Sequence, residues 1–257
     1  AVCGPAIAAW SADMMQPLPF AGSYAVVAVF GALSVAVLAL AYREPPAAAH
    51  AAAAVDNLPA RPLGEIVRQP VFLASFANNG IGNAVMMFMM TATPIAAVAC
   101  QHTIKQGAQI IEWHLVGMYA PSFFSGWQLQ RFGNPVMLVS GIALSALAAI
   151  VALCSTTLPA FYLALLCLGV GWNFMFVGGT TLLTSSYRPA ERARTQAASE
   201  FSTAALTALA TLAAGQVLNQ WGWQGVNLAV LPALAVALAV TLAWQRQERL
   251  APSAAGV

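Results

Sequence analysis

Seven long runs of apolar residues constrain the fold of this chain more than any other feature. A helix needs about 20 largely apolar residues to cross the hydrocarbon core of a bilayer. The runs cover residues 21–42, 71–100, 108–130, 136–154, 159–184, 198–218 and 223–244. Another apolar piece, residues 1–12, is too short to cross. The pattern predicts seven membrane-spanning helices and part of an eighth.

The composition supports a membrane protein. Hydrophobic residues make up 60% of the chain and charged residues only 7%, with a mean hydropathy of +0.74, whereas soluble domains carry about 25% charged residues. Strands of membrane barrels are about ten residues long with alternating polarity, and these runs are longer and do not alternate. We therefore predict an all-α, polytopic helical bundle.

Basic residues indicate the orientation, because cytoplasmic loops of membrane proteins collect Lys and Arg. If the run 21–42 passes from outside to inside, Lys105 is the only basic residue in the outer loops. The other nine lie inside: Arg43, Arg61, Arg68, Arg131, Arg188, Arg192, Arg194, Arg246 and Arg249. The linker and the C-terminus are therefore predicted to be cytoplasmic, in a bacterial inner membrane.

The segment 43–70 divides the chain in two. It is rich in Ala and Pro, which is typical of a semi-flexible linker. We predict the end of a first helical half at 1–42, a cytoplasmic linker at 43–70, a six-helix bundle at 71–244 and a cytoplasmic tail at 245–257. Because the first apolar piece has the character of the later part of a helix, we expect the chain to be a fragment.

Two short motifs resemble motifs of one transporter family. The stretch "GWQLQRFG" carries Gly126, Arg131 and Gly133 at the spacing of the loop motif G-x-x-x-D-R-x-G, with Gln in place of Asp. The stretch "GPAIAA", starting at Gly4 and Pro5, is similar to the helix-kinking motif G-P-x-x-G-G. Both motifs are found in the major facilitator superfamily (MFS), and the resemblance covers essentially the whole chain.

The resemblance implies a secondary transporter that moves a small molecule by alternating access. The short apolar piece would be the end of helix five, and the seven runs would be helices six to twelve. The partners of the chain would be the missing N-terminal helices and the lipid bilayer. Gly126, Arg131 and Gly133 would form a gating loop, for which simple topological anchoring is the alternative. Gly4 and Pro5 would kink helix five.

Glu112 and His114 are ionisable residues inside an apolar run. Their spacing of two places them about 200° apart on a helix, which excludes a shared metal. They either form a solvated rim near the end of their span or face a central cavity, where an ionisable group is a functional candidate. Because His titrates near physiological pH, His114 and Glu112 are the candidates for proton coupling.

Polar and aromatic residues on the predicted helices seven, eight, ten and eleven are candidates for a substrate cavity. The alternatives are hydrogen bonding between helices for the asparagines, contact with lipid for the aromatic residues, and a salt bridge from Glu200 to Arg192 or Arg194. The predicted cavity residues are Asn79, Asn83, Met87, Met118, Ser122, Trp172, Asn173, Phe176, Thr203 and Thr207.

Other classes of protein lack their required residues. A retinal protein needs a lysine in its last helix, and Lys105 is the only lysine. No protease motif, basic nucleic-acid patch or CxxC pair occurs. We therefore predict no enzyme activity, cofactor, metal or nucleic-acid partner. A seven-helix receptor or sensor without transport activity remains the alternative.

Overall fold

The computed structural model describes residues 7, 10, 11, 14, 15, 18, 21–41 and 59–250, all of which are helical or lie in turns and short connections. The all-α prediction is thereby confirmed for these residues. Gly4, Pro5 and most of the predicted linker lie outside them. The chain forms two compact units, Ala1–Asn57 and Leu58–Val257. The first contains one long helix, α1 (Ala21–Ala41).

The second unit consists of helices joined by short connections. Thr103 and Gln106 form a capping box at the start of α5, and prolines occupy the first turns of α3, α7 and α8, where a missing N–H removes no helical hydrogen bond. In chain order the helices are α2 (Leu63–Ile66), α3 (Pro70–Phe76), α4 (Gly82–Ala99), α5 (Ile104–Tyr119), α6 (Ser122–Phe132), α7 (Asn134–Cys154), α8 (Leu158–Ser186) and α9 (Arg192–Leu250).

The apolar run 71–100 forms α3 and α4, which are joined by a π-helical turn at Ala77–Ile81. A π turn closes i→i+5 hydrogen bonds and thus contains one residue more than an α turn. The backbone remains helical on both sides. The turn contains Asn78 and Asn79, both of which are buried.

The apolar run 108–130 is not one straight helix. It is interrupted at Ala120 and Pro121, between α5 and α6. Proline has no backbone N–H to continue the ladder of hydrogen bonds, which leaves carbonyl groups of α5 without their usual partners. Most of α6 is exposed, with Ser125 its only buried residue.

Glycines allow α8 to lie very close to its neighbours. A Cβ atom at Gly169 would stand 2.5 Å from the carbonyl oxygen of His114 in α5, and one at Gly171 would stand 2.7 Å from the oxygen of Gly141 in α7. Around these contacts the bundle core is fully packed, with Leu165 at 0% exposure. The two close approaches fix α8 as the central helix between α5 and α7.

The runs 198–218 and 223–244 form one helical stretch, α9, which is broken at Gly222. Gly222 has φ 65° and ψ −168°, a conformation that glycine adopts readily and other residues do not. The predicted boundary between the two runs therefore corresponds to this residue. Just after it, Trp223 stacks on Phe161 of α8 with ring centroids 5.2 Å apart.

Within the described part of the chain, five helical stretches are long and apolar enough to cross a membrane: Ala21–Ala41, Pro70–Ala99, Asn134–Cys154, Leu158–Ser186 and Pro189–Leu250. Large apolar side chains are exposed along them, including Phe201 at 77% and Leu212 at 74%. Exposed apolar surface of this extent requires lipid or further protein as its environment. The fold is that of a multi-pass membrane protein.

Candidate functional site

Two aromatic side chains of α8 stack on each other. The rings of Trp172 and Phe176 stack with centroids 4.9 Å apart and an angle of 15° between their planes. Phe176 is 38% exposed and Trp172 is half-buried. We call this pair the aromatic platform. An accessible pair of parallel rings offers a stacking surface to a planar molecule.

Two asparagines of the neighbouring helix adjoin the platform. The indole Nε1 of Trp172 donates to Asn83 Oδ1 at 3.1 Å. Asn83 Nδ2 in turn donates to Asn79 Oδ1 at 3.0 Å and to the Asn79 carbonyl at 2.7 Å. Met87, one turn further along α4, is half-buried. The structure thus brings together Asn79, Asn83, Trp172 and Phe176.

Asn173 points away from the platform, although it follows Trp172 in sequence. It is 2% exposed, and its Nδ2 donates to the Met118 carbonyl at 2.8 Å and to Ser122 Oγ at 2.6 Å. These contacts bridge the interruption between α5 and α6, and we call them the α5–α6 clasp. Met118, Ser122 and Asn173 therefore form a second group, separate from the aromatic platform.

His114 is buried between α5 and α8. Its exposure is 0%, its Nδ1 lies 2.8 Å from the Leu165 carbonyl oxygen, and its Nε2 has no partner in the part of the chain that the structure describes. The helix begins at Ile104, earlier than the predicted residue 108. His114 thus lies about 15 Å along α5, and a solvated rim does not describe its position. Glu112 is half-buried.

Buried polar residues of α9 extend from the predicted cavity residues Thr203 and Thr207 toward the start of the helix. Thr203 is 8% exposed and Thr207 is half-buried, but Thr195 and Ser199 precede them as buried residues at the same spacing of four. Glu200 is exposed and forms no ion pair among the described residues. The spacing of Thr195 and Ser199 is visible in the sequence and is the signal that would have found them.

The motif at 126–133 is mostly helix. Gly126 lies within α6, and a Cβ atom there would meet nothing within 4 Å in the described residues. Gly126 therefore lies in a helix and not in the connection itself, because α6 continues to Phe132. Gly133 makes the turn alone, with φ 78°. The guanidinium of Arg131 lies 5.9 Å from the ring centroid of Trp127, in cation–π range.

A buried carboxylate ties the segment before α2 to the connection between α8 and α9. Glu191 is 0% exposed and accepts hydrogen bonds from the backbone N–H of Arg61 at 2.7 Å and of Arg188 at 3.0 Å. Arg61 Nε and Nη2 donate to its two oxygens at 3.0 and 2.7 Å. The hydrogen-bonded Arg61 guanidinium holds the pKa of the Glu191 carboxyl well below its ordinary value. We call this contact the basic-end clamp; the sequence interpretation missed it.

Metal-binding chemistry has no support in the described residues. They contain no group of three or more His, Cys, Asp or Glu side chains that would hold a metal ion. Cys100, Cys154 and Cys167 are free thiols.

Comparison with known proteins settles the family. The model of the Major Facilitator Superfamily matches residues 113–256, which is more than half of the chain. The chain belongs to the major facilitator superfamily. This MFS chain is a multi-pass membrane protein, as its sequence predicts, and no finding supports the receptor alternative.

Three relatives resemble this MFS chain. The riboflavin transporter RfnT of Brucella anthropi is 40% identical over 242 residues, which cover 93% of this chain and 59% of the relative. The uncharacterized MFS-type transporters YddS and YdeG of Bacillus subtilis are 35% and 33% identical, over 45% and 44% of this chain and 27% and 26% of their own lengths. The MFS chain thus spans less than two thirds of each relative.

Proposed function

We propose that this chain forms the C-terminal part of a secondary transporter that moves riboflavin, or a closely similar planar molecule, by alternating access. The proposal rests on the 40% identity to a riboflavin transporter over 93% of this chain. Riboflavin contains a flat fused-ring system, for which the aromatic platform of Trp172 and Phe176 is a suitable stacking surface. The protein would lie in a bacterial inner membrane with the basic-end clamp on the cytoplasmic side.

The proposed substrate cavity contains the platform and the polar residues beside it. Asn79, Asn83 and Met87 on α4 would contact substrate from one side. Thr203 and Thr207 on α9 would extend the polar surface. The clasp residues Met118, Ser122 and Asn173 would border the same cavity. Binding or release of substrate would then change the direction of α6. This change would move the gating-loop residues Gly126, Arg131 and Gly133.

Proton coupling is part of the proposal and is assigned to α5. His114 and Glu112 are its two ionisable residues that lie away from the ends of the helix. The unpartnered Nε2 of His114 supports a role in accepting a proton, because a neutral imidazole with one nitrogen donating retains an acceptor on the other. Glu112 on another face would exchange the proton with water.

Uptake by the complete protein tests the proposal. The complete coding sequence, expressed in a bacterial strain that neither makes nor imports riboflavin, should restore growth on low riboflavin and uptake of radiolabelled riboflavin. Trp172→Ala should lower uptake at least tenfold through loss of the platform, since base–aromatic stacking contributes about 1–3 kcal/mol. Trp113→Ala, which removes a tryptophan that is 53% exposed on α5, is the matched control and should retain uptake. Failure of the wild-type protein to restore uptake would reject riboflavin as the substrate.

A further inference from the structure

Three side chains beside the platform form a hydrogen-bonded series whose direction is fixed by chemistry. Trp172 Nε1 lies 3.1 Å from Asn83 Oδ1, and Asn83 Nδ2 lies 3.0 Å from Asn79 Oδ1. An indole N–H donates and cannot accept. The oxygen of the Asn83 amide must therefore face Trp172, which turns its NH₂ group toward Asn79.

The same reasoning applies to the next amide. Asn83 Nδ2 needs acceptors and finds them in Asn79 Oδ1 and in the Asn79 carbonyl oxygen. The Asn79 amide is thus oriented with its oxygen toward Asn83 and its NH₂ group at the free end of the series. No hydrogen bond joins Asn79 Nδ2 to an acceptor within residues 59–250, and this nitrogen is not fully enclosed.

The surroundings of Asn79 hold this donor in place. Asn79 is 3% exposed and lies in the π turn, where its backbone nitrogen would be 3.2 Å from a Cβ atom at Gly179 of α8. Its neighbour Asn78 points to a different helix, with its Nδ2 donating to Thr241 Oγ1 at 2.8 Å and to the Ala74 carbonyl at 2.9 Å. The residue as a whole is thus nearly buried and fixed by its neighbours, while its Nδ2 donor is left for an acceptor that a bound molecule supplies.

We propose that Asn79 determines specificity by donating a hydrogen bond to an acceptor at the edge of a planar heteroaromatic substrate stacked on Trp172 and Phe176. This inference rests on the proposed function and narrows its substrate class. Ring systems with a carbonyl oxygen or an unprotonated ring nitrogen at that edge are accepted. Ring systems that present an amino group there are rejected, because two donors would face each other.

Replacing the amide donor by an acceptor of the same shape is the sharpest test. Riboflavin binding to the purified complete protein is measured by quenching of flavin fluorescence, alongside a flavin analogue in which a ring carbonyl is replaced by an amino group. Asn79→Asp should weaken riboflavin binding by about 10-fold to 100-fold, as expected for loss of one buried hydrogen bond, and should improve binding of the amino analogue relative to riboflavin.

Two further variants separate specificity from folding. Trp172→Phe keeps an aromatic ring but removes the N–H that orients the series, so it should reduce the preference for riboflavin over the amino analogue. Asn219→Asp places the same new charge on an exposed residue of α9 and should change neither affinity. Melting temperatures of all variants verify that they are folded.

The outcomes distinguish the two proposals. If wild-type protein binds riboflavin and Asn79→Asp binds both flavins as the wild type does, the role of Asn79 is overturned and the transporter proposal stands. If Asn79→Asp does not fold, Asn79→Ser provides the same comparison with a small polar side chain that does not reach the amide position, and unchanged riboflavin affinity in that variant overturns the inference. If wild-type protein does not bind riboflavin, both proposals fail.

Discussion

Arg61 and Glu191 lie 130 positions apart in the sequence, yet the guanidinium of Arg61 donates to both oxygens of the buried Glu191 carboxylate. Arg61 also donates to the Ser186 carbonyl at 3.2 Å, and Gln69 Nε2 donates to the same oxygen at 3.1 Å. The basic-end clamp therefore joins the start of the second unit to the end of α8.

Removal of either partner of the clamp should destabilise the bundle, and the two variants should differ. Arg61→Met leaves a buried carboxylate without its cation, which is more costly than losing the pair. Glu191→Gln removes the charge and keeps an acceptor, so its melting temperature in detergent should fall less. An equal or smaller effect of Arg61→Met would show that the ion pair does not hold the clamp.

The clamp also predicts how stability depends on pH. The folded pKa of Glu191 is depressed from its ordinary value of 4.5, so its contribution is complete above that value and is lost as pH falls through the folded pKa. Wild-type protein should lose melting temperature below about pH 4.5 more steeply than Glu191→Gln. Between neutral pH and about pH 6 the difference between the two should be constant, as measured by thermal unfolding in buffers of equal ionic strength.

Asn173 should contribute to the stability of the bundle, although the sequence places it beside Trp172 as a candidate for contact with substrate. Asn173→Ala leaves the Met118 carbonyl at the end of α5 without its side-chain donor, which costs about 1–3 kcal/mol for a buried group. Ser122→Ala removes one of the two clasp hydrogen bonds and should cost less. Denaturation of the purified protein checks the order, and an effect of Ser122→Ala equal to that of Asn173→Ala would contradict the clasp.

Close contact between α5 and α8 predicts a position-specific effect of alanine. Gly169→Ala would place a Cβ atom 2.5 Å from the His114 carbonyl oxygen and 2.9 Å from the Met118 nitrogen, so the helices must separate, at a cost of about 1–3 kcal/mol. Gly215→Ala in α9 meets nothing within 4 Å among the described residues and should cause no loss. Both are compared by melting temperature.

The proposed proton coupling predicts a change in the pH profile of uptake. His114→Asn retains a donor for the Leu165 carbonyl but cannot bind a proton, so uptake should lose its dependence on pH between about 5 and 8. His102→Asn is the matched control, because His102 Nε2 also lies 2.9 Å from a carbonyl oxygen, that of Thr156. Unchanged profiles in both His114→Asn and Glu112→Gln would remove α5 from the coupling mechanism.

The helical architecture was predictable because the bilayer imposes a length on every apolar run. The run 136–154 becomes α7 (Asn134–Cys154), and 159–184 becomes α8 (Leu158–Ser186), within two residues at each end. Asn79 and Asn83 were also predictable neighbours, because residues four apart share a helix face. Local spacing was sufficient in these cases.

Features that depend on contacts between helices were not predictable. The pairing of Arg61 with Glu191 crosses 130 residues and has no local signal. The burial of Asn173 depends on the interruption at Pro121, which the prediction of one continuous span did not include. Gly126 matches a motif position, but only the three-dimensional surroundings show that a side chain there would meet nothing within 4 Å in the described residues.

Because of the π turn at Ala77–Ile81, the polar groups that line the proposed cavity depend on the number of residues in this turn. Each residue advances an α-helix by about 100°, so deletion of a single residue in this turn would restore ordinary helical phase and rotate one asparagine into the place of the other. Asn78, which now bonds to Thr241, would then take the place of Asn79, which now faces Asn83. Insertion or deletion of one codon in this turn would therefore change the groups offered to a substrate without altering the helices on either side.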